Sequence, residues 1–326
     1  MKRLFKRLVI GALLLIAALW AGNTSRLVSG LDQHQTRLIA HRGVHQIYVG
    51  TDRSIDACHA APVAPMTHRF VENTLSSMQE AFRLGADVVE LDIHLTPDNV
   101  FAVFHDWTLD CRTNGSGVTN SHLFADLQTL DLGYRIDDGT QTYPLRGTGI
   151  EQMPSLSQVF AAEMEGQFLI NFKSRRTEEG IALTNMLADT RVNTQVFGVY
   201  GGQPPTRAAT GALPGLRGFD RASIKTCLTR YLALGWSGHV PQDCQNTILL
   251  IPQNYAPLLW GWPHRFTQRM KAAGTTVILA GPYDGSGFSS GIDDADTFAK
   301  VPADFDGYLW TNRIEVIGPL LANQDN

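Results

Sequence analysis

The chain has no surplus of positive charge. Its 326 residues hold 27 Lys and Arg against 31 Asp and Glu, a formal net charge of −4. That balance lacks the basic footprint of a nucleic-acid partner. Low-complexity tracts and internal repeats are missing as well. With 44% hydrophobic and 18% charged residues, the composition is globular rather than disordered. No Gly-x-Gly-x-x-Gly follows the first predicted strand, which argues against a dinucleotide-binding fold. Cysteine is scarce, with four residues. No two of them stand at metal-finger spacing, which argues against a structural zinc site.

What is present begins with a leader. Lys2, Arg3, Lys6 and Arg7 precede an uncharged apolar run from Leu8 to Gly22, the layout of a signal peptide. A helix over that run would be about 22 Å long. That is short of a hydrocarbon core of about 30 Å. Cleavage after Ala21 would put Leu19 where a small residue is preferred. Residues 1–30 therefore read as a signal peptide or an N-terminal membrane anchor, with the balance towards an uncleaved anchor. The basic flank stays inside, and the rest is expected in the periplasm or cell envelope. An even cysteine count in an exported chain points to disulfides. Cys227 and Cys244 lie close in sequence and form the first pairing to expect, which leaves Cys58 with Cys111.

Residues 31–326 alternate short apolar β-rich runs with helix-like stretches. Predicted strands are 37–41, 88–93, 100–104, 168–172, 195–199, 216–219, 247–251, 276–279 and 307–311. Predicted helices are 73–84, 156–163, 177–188, 223–234 and 263–273. This alternation predicts a parallel α/β architecture, and eight or nine strands in one domain suit a (β/α)₈ TIM barrel. One link is too short for a parallel crossover. Pro97-Asp98-Asn99 separates two strands, so a hairpin-like distortion is expected there. Two long stretches, about 44–71 and 108–154, interrupt the pattern after strand ends. They are expected as rims on the catalytic face.

The chemistry concentrates at three strand ends. Glu90 and Asp92 alternate across Leu91, so both carboxylates face one side of a strand, where an oxygen-loving cation could bridge them. A solvated strand end is the plainer reading, but the flanking Val88, Val89, Leu91 and Ile93 disfavour it. His41 and His105 each end a strand beside this pair. Imidazole exchanges protons near neutral pH. Arg42 offers a planar fork for phosphate oxygens, or else a salt bridge at the barrel mouth. Glu72 opens a predicted helix. It is either a capping acid or a partner that orients Arg42 or the metal ligands.

Taken in order, His41-Arg42-Gly43, Glu72-Asn73-Thr74, Glu90-Leu91-Asp92 and His105-Asp106 resemble the glycerophosphodiester phosphodiesterase family. That family has a barrel related to phosphoinositide-specific phospholipase C. The resemblance runs from His41 to about Asn312 and is weakest from Gly201 to Gly274. It implies hydrolysis of a glycerophosphodiester to glycerol 3-phosphate and an alcohol. His41 and His105 would be the acid and base, Arg42 and Lys173 the phosphate contacts, and a divalent cation, Ca²⁺ or Mg²⁺, the cofactor. Metal ligands would be Glu90, Asp92 and a third acid, where this chain has Asn171 instead. An amide brings oxygen without charge. Two other readings stay open. One is a lysophospholipase D or phospholipase C-like enzyme on membrane lipid. The other is a non-catalytic binding protein on a decayed barrel.

Overall fold

The computed structural model describes residues 2–28, 34–50, 58–188, 194–285 and 290–324. Part of the first insertion, residues 51–57, lies outside the described residues. Among the described residues the strands are β1 (Thr36–His41), β2 (Val88–Leu95), β3 (Phe101–Val103), β4 (Gln167–Phe172), β5 (Val196–Gly201), β6 (Gly218–Phe219), β7 (Ile248–Pro252), β8 (Thr276–Ala280) and β9 (Gly307–Thr311). The principal helices are α1 (Lys2–Asn23), α2 (Leu75–Arg83), α3 (Phe124–Gln128), α4 (Leu156–Ala161), α5 (Thr177–Met186), α6 (Gln203–Ala212), α7 (Arg221–Leu234), α8 (His264–Ala272), α9 (Ala295–Phe298) and α10 (Ile314–Ala322).

Eight strands pair in the order β6-β5-β4-β2-β1-β9-β8-β7, and β3 hangs from β2. The pairings along that path are parallel, whereas β2 and β3 pair antiparallel across the expected short turn. Asn99 takes the left-handed conformation in that turn, with φ 58°. The sheet is a nearly closed eight-stranded barrel. At the β6/β7 seam the Thr247 hydroxyl donates to the Gly218 carbonyl at 2.8 Å.

Side-chain parity explains how the barrel serves the site. Ile39, Val88, Leu169, Ile248 and Ile278 fill the barrel as one apolar cluster. Two residues further along β1, β2 and β4 the same faces carry His41, Glu90 and Asn171. An apolar floor thus gives way to a polar mouth. Outside the strands a larger cluster packs the helices, with Met78, Phe168, Phe172 and Phe266 among its members. Sequence reading missed α6, whose Pro204 and Pro205 look like breakers. They sit in its first turn, where a proline costs no hydrogen bond.

The two insertions share a third cluster that includes Val63, Phe104, Leu109, Leu132 and Leu145. Cys58–Cys111 ties them together, and Cys227–Cys244 links the middle of α7 to the short turn before β7. Both pairings match the expected ones. The first closes a separation of 53 residues and the second one of 17. Replacing either pair by serine should cost roughly 2–4 kcal/mol, more for the longer loop. Thermal melting of the two double variants reads this. Equal stability to wild type would remove the disulfides from the account.

Candidate active site

The backbone at the head of the site takes conformations that need strong local support. Arg42 and Asn73 both have positive φ, 59° and 58°. Such positions cost about 1–3 kcal/mol and persist only when surrounded by fixing contacts. Here the Arg42 amide donates to the Glu90 carbonyl at 3.0 Å, and the Asn73 amide donates to the Arg42 carbonyl at 3.0 Å. Gly43 follows with φ 78°, and a Cβ there would collide with Ser77. That is why His-Arg is followed by glycine.

Each residue of Glu72-Asn73-Thr74 has its own task. Thr74 is the N-cap of α2, its hydroxyl accepting from the Ser77 amide. Asn73 clamps Asp92, donating from Nδ2 to Oδ2 at 2.9 Å and accepting the Asp92 amide at 3.1 Å. Glu72 pairs with two guanidinium groups, Arg42 at 3.2 Å and Arg112 at 3.1 Å. It is a partner for arginine rather than a helix cap.

A continuous network therefore joins the two histidines. Arg42 Nε donates to His41 Nε2 at 3.1 Å. From Arg42 the path runs through Glu72 to Arg112. Arg112 Nε then donates to Asp106 Oδ2 at 3.0 Å, and His105 Nδ1 donates to Asp106 Oδ1 at 2.7 Å. A carboxylate only accepts, so Asp106 fixes the His105 proton on Nδ1. At the other end, Asn312 Nδ2 donates to Asp293 Oδ2 at 2.8 Å. The Asn312 oxygen is left to accept from His41 Nδ1 at 2.6 Å. Both imidazoles thus carry the lone pair on Nε2. Burial, then Arg42 and His45, holds His41 well below its ordinary range. Burial, then Arg42 and Lys173, does the same to His105. Both shifts favour the uncharged ring.

Glu90 and Asp92 are fully buried side by side. Glu90 accepts from the Tyr200 hydroxyl at 2.7 Å and from the Arg42 amide at 3.2 Å. Burial, with Asp92 beside it, pushes its carboxyl up to about 8. Burial would raise Asp92 too, but Lys173, His105 and Arg42 outweigh it and hold that carboxyl low. Asn171 lies opposite Asp92 in the β2/β4 register. It acts here as a donor, from Nδ2 to Asp92 Oδ1 at 2.8 Å. Its oxygen lies where a Cβ on Gly201 would collide with it. Lys173 Nζ stands 3.6 Å from Asp92 Oδ1. The eight residues singled out in the sequence, His41, Arg42, Glu72, Glu90, Asp92, His105, Asn171 and Lys173, therefore belong to one connected set.

Among the described residues, no group of three or more His, Cys, Asp and Glu forms a metal cluster. The two buried carboxylates are nonetheless hard oxygen donors of the kind that hold Ca²⁺ or Mg²⁺, while the Asn171 amide turns its nitrogen to Asp92 and its oxygen towards Gly201, so it would have to flip to add a third. Sequence reading missed Asp106, Arg112, Tyr200, Asp293 and Asn312 as parts of this set. His94 continues the Glu90/Asp92 alternation and is fully buried. Burial, then Lys173, pushes it down to about 4.

The fold and the site define a (β/α)₈ barrel with a charged acid/base mouth at the carboxyl ends of its strands. Residues 41–227, more than half of the chain, match the model of the Glycerophosphoryl diester phosphodiesterase family. The chain belongs to that family. A glycerophosphodiester phosphodiesterase of Caldanaerobacter subterraneus is 34% identical over 102 residues, which is 31% of this chain and 39% of that protein. The chain thus aligns with well under half the length of the curated relatives it matches. The crystal structure of a glycerophosphodiester phosphodiesterase from Agrobacterium tumefaciens superposes with a TM-score of 0.55 at 22% identity. It covers 87% of this chain and 100% of that one. An Oleispira antarctica phosphodiesterase, solved in complex with the product sn-glycerol-3-phosphate, superposes at 0.52 with 18% identity. It covers 88% of this chain and 99% of that one. These likenesses show the barrel.

Proposed function

We propose that this chain hydrolyses glycerophosphodiesters to glycerol 3-phosphate and an alcohol. The observation that carries this reading is the single hydrogen-bonded network that joins two imidazoles through Arg42, Glu72, Arg112 and Asp106. Each ring is fixed at Nδ1, at either end of one network around Glu90 and Asp92, and the His41 Nε2 lone pair accepts from Arg42 Nε until substrate draws the guanidinium away. One imidazole takes the proton of the glycerol hydroxyl that attacks phosphorus. The other must first take a proton from solvent on Nε2, and gives that proton to the leaving alcohol. A cyclic phosphate forms; water then opens it, giving a proton to the second imidazole while the first returns the one it took. Arg42 and Lys173 offset charge on the phosphoryl oxygens. Glu90, Asp92 and the Asn171 amide would hold a divalent cation, which when bound supplies further positive charge there. The product carried by the Oleispira relative has the chemistry this reaction requires.

The N-terminal helix favours a water-soluble diester over a membrane lipid. Among the described residues α1 alone is long and apolar enough to cross a membrane. Its end is rooted on the barrel. Asn23 Nδ2 donates to the Trp236 carbonyl at 2.8 Å, and Arg269 donates to Asn23 Oδ1 at 3.0 Å and to the Gly22 carbonyl at 2.9 Å. Trp236 lies between the end of α7 and the start of β7, on the rim opposite the catalytic mouth. An anchor there, in an exported protein with two disulfides, holds the mouth away from the bilayer.

The test is turnover of glycerophosphocholine with added Ca²⁺ or Mg²⁺, set against a lysophospholipid. Metal-dependent release of choline is expected. Preference for the lysolipid would install the lipase reading, and turnover of neither would leave a binding protein. Asn171→Glu adds a third, half-buried carboxylate beside Asp92. It should lower the melting temperature of metal-free protein and tighten metal binding, so that added metal restores more stability than in wild type. Activity should need less metal, with turnover lowered because the extra charge opposes an anionic phosphate. An unchanged metal dependence of both melting and activity would show that Asn171 is no ligand.

A further inference from the structure

The first insertion sends a ring onto one of the two catalytic imidazoles. His59 stacks on His105, with ring centroids 5.7 Å apart and planes 18° apart. Tyr48 stacks on His59 in turn, at 4.7 Å and 28°. His59 is tied on both sides. Cys58, just before it, is bonded to Cys111 of the second insertion. Ala60, just after it, accepts from the Asp137 amide at 3.0 Å, and the Val63 amide donates to the Asp137 carbonyl at 2.9 Å. Tyr48 is held by the same segment. The Val49 amide donates to the Pro62 carbonyl at 3.0 Å, and the Ala64 amide to the Ile47 carbonyl at 2.8 Å. Arg112, next to Cys111, donates to Asp106, which holds His105 at Nδ1. Both neighbours of the disulfide, His59 and Arg112, thus bear on His105. A staple that only secured the rim would need neither.

We propose that His59 is a positioning residue for His105, holding the plane of the imidazole by stacking, and that the Cys58–Cys111 disulfide keeps His59 in place. The inference rests on the hydrolase reading above, in which His105 exchanges a proton. The hydrogen bond to Asp106 fixes one atom of the ring, and the plane can still turn about it. Such a turn carries Nε2 off the line of proton transfer, and a misplacement of about 1 Å can cost a hundredfold in rate. A ring on the face opposes the turn, and the observed separations fall in the range of roughly 4.5–7 Å that aromatic pairs favour. Stacking asks for a ring and not for a ring nitrogen, so phenylalanine should serve in place of His59.

The experiment measures kcat and KM for glycerophosphocholine at saturating metal, well below the melting temperature of each variant. His59→Ala should lower kcat roughly ten- to hundredfold with KM within about twofold of wild type. His59→Phe should restore most of kcat. The double variant Cys58→Ser/Cys111→Ser should lower kcat in wild type and add little to His59→Ala, because both changes release the same ring. Cys227→Ser/Cys244→Ser removes the other disulfide and should keep the wild-type kcat. Near-normal kcat in His59→Ala, a His59→Phe as slow as His59→Ala, or full additivity of the disulfide loss with His59→Ala overturns the proposal. Imidazole NMR on protein with ¹⁵N-labelled histidine reads the same fixation without turnover. The His105 signals, identified by their loss in His105→Ala, should broaden in His59→Ala and sharpen again in His59→Phe. Unbroadened His105 signals in His59→Ala overturn the proposal whatever the activity. The expected broadening in a protein that hydrolyses no diester keeps the stack and removes the hydrolase reading.

Discussion

His105→Ala should lower diester turnover by roughly 10²–10⁴-fold, and His41→Ala should do the same, the range expected for a general acid or base. The loss should fall on kcat. Each ring is held through its Nδ1, by Asp106 or Asn312, which leaves Nε2 as the atom for proton exchange once Arg42 Nε releases that of His41. Neither ring holds the barrel together, because the strands beneath are packed by Ile39, Val88 and Leu169. Circular dichroism and melting should therefore stay close to wild type. Steady-state kinetics with saturating metal makes the measurement. Near-normal turnover in either variant would dismiss the acid/base pair.

Glu72→Ala should destabilise the protein by about 3–5 kcal/mol, the scale for removing one partner of a buried charge network. It would leave Arg42 and Arg112 without the carboxylate they share, and both guanidinium groups are buried. Burial would raise the Glu72 carboxyl, but Arg112 and Arg42 overcome this and hold it well below its usual range. A group with a depressed folded pKa stabilises above its unfolded value of about 4.3 and loses that contribution as pH falls. Denaturant titrations at neutral and acid pH should thus show the wild-type advantage over Glu72→Ala shrinking with acidification. A gap below about 1 kcal/mol at neutral pH, an ordinary surface effect, would mean the network is dispensable.

Parity made part of this site legible in the sequence. Glu90 and Asp92 share a face because residues two apart in a strand do so, whatever the strand packs against. The β2/β3 hairpin was legible because three residues cannot carry a parallel crossover. Asn73 was quoted only as a motif letter, and its clamp on Asp92 needs α2 set against β2. Arg112 lies within the second insertion, and nothing local shows that it reaches back to Glu72. Tyr200 carried no signal beyond an ordinary strand aromatic.

The sequence by itself determined the alternating elements, the two disulfide pairings, and the histidines, carboxylates and cations at the strand ends. These rest on short-range rules of period, turn length and spacing. Tertiary structure alone decided the protonation pattern. His41 owes its Nδ1 proton to Asn312, 271 residues away, which meets it because β9 closes against β1. It also decided that Asn171 faces Asp92 as a donor and that α1 is rooted on the rim away from the mouth. Each of these depends on which distant segments barrel closure brings within hydrogen-bonding reach, and no local pattern encodes that.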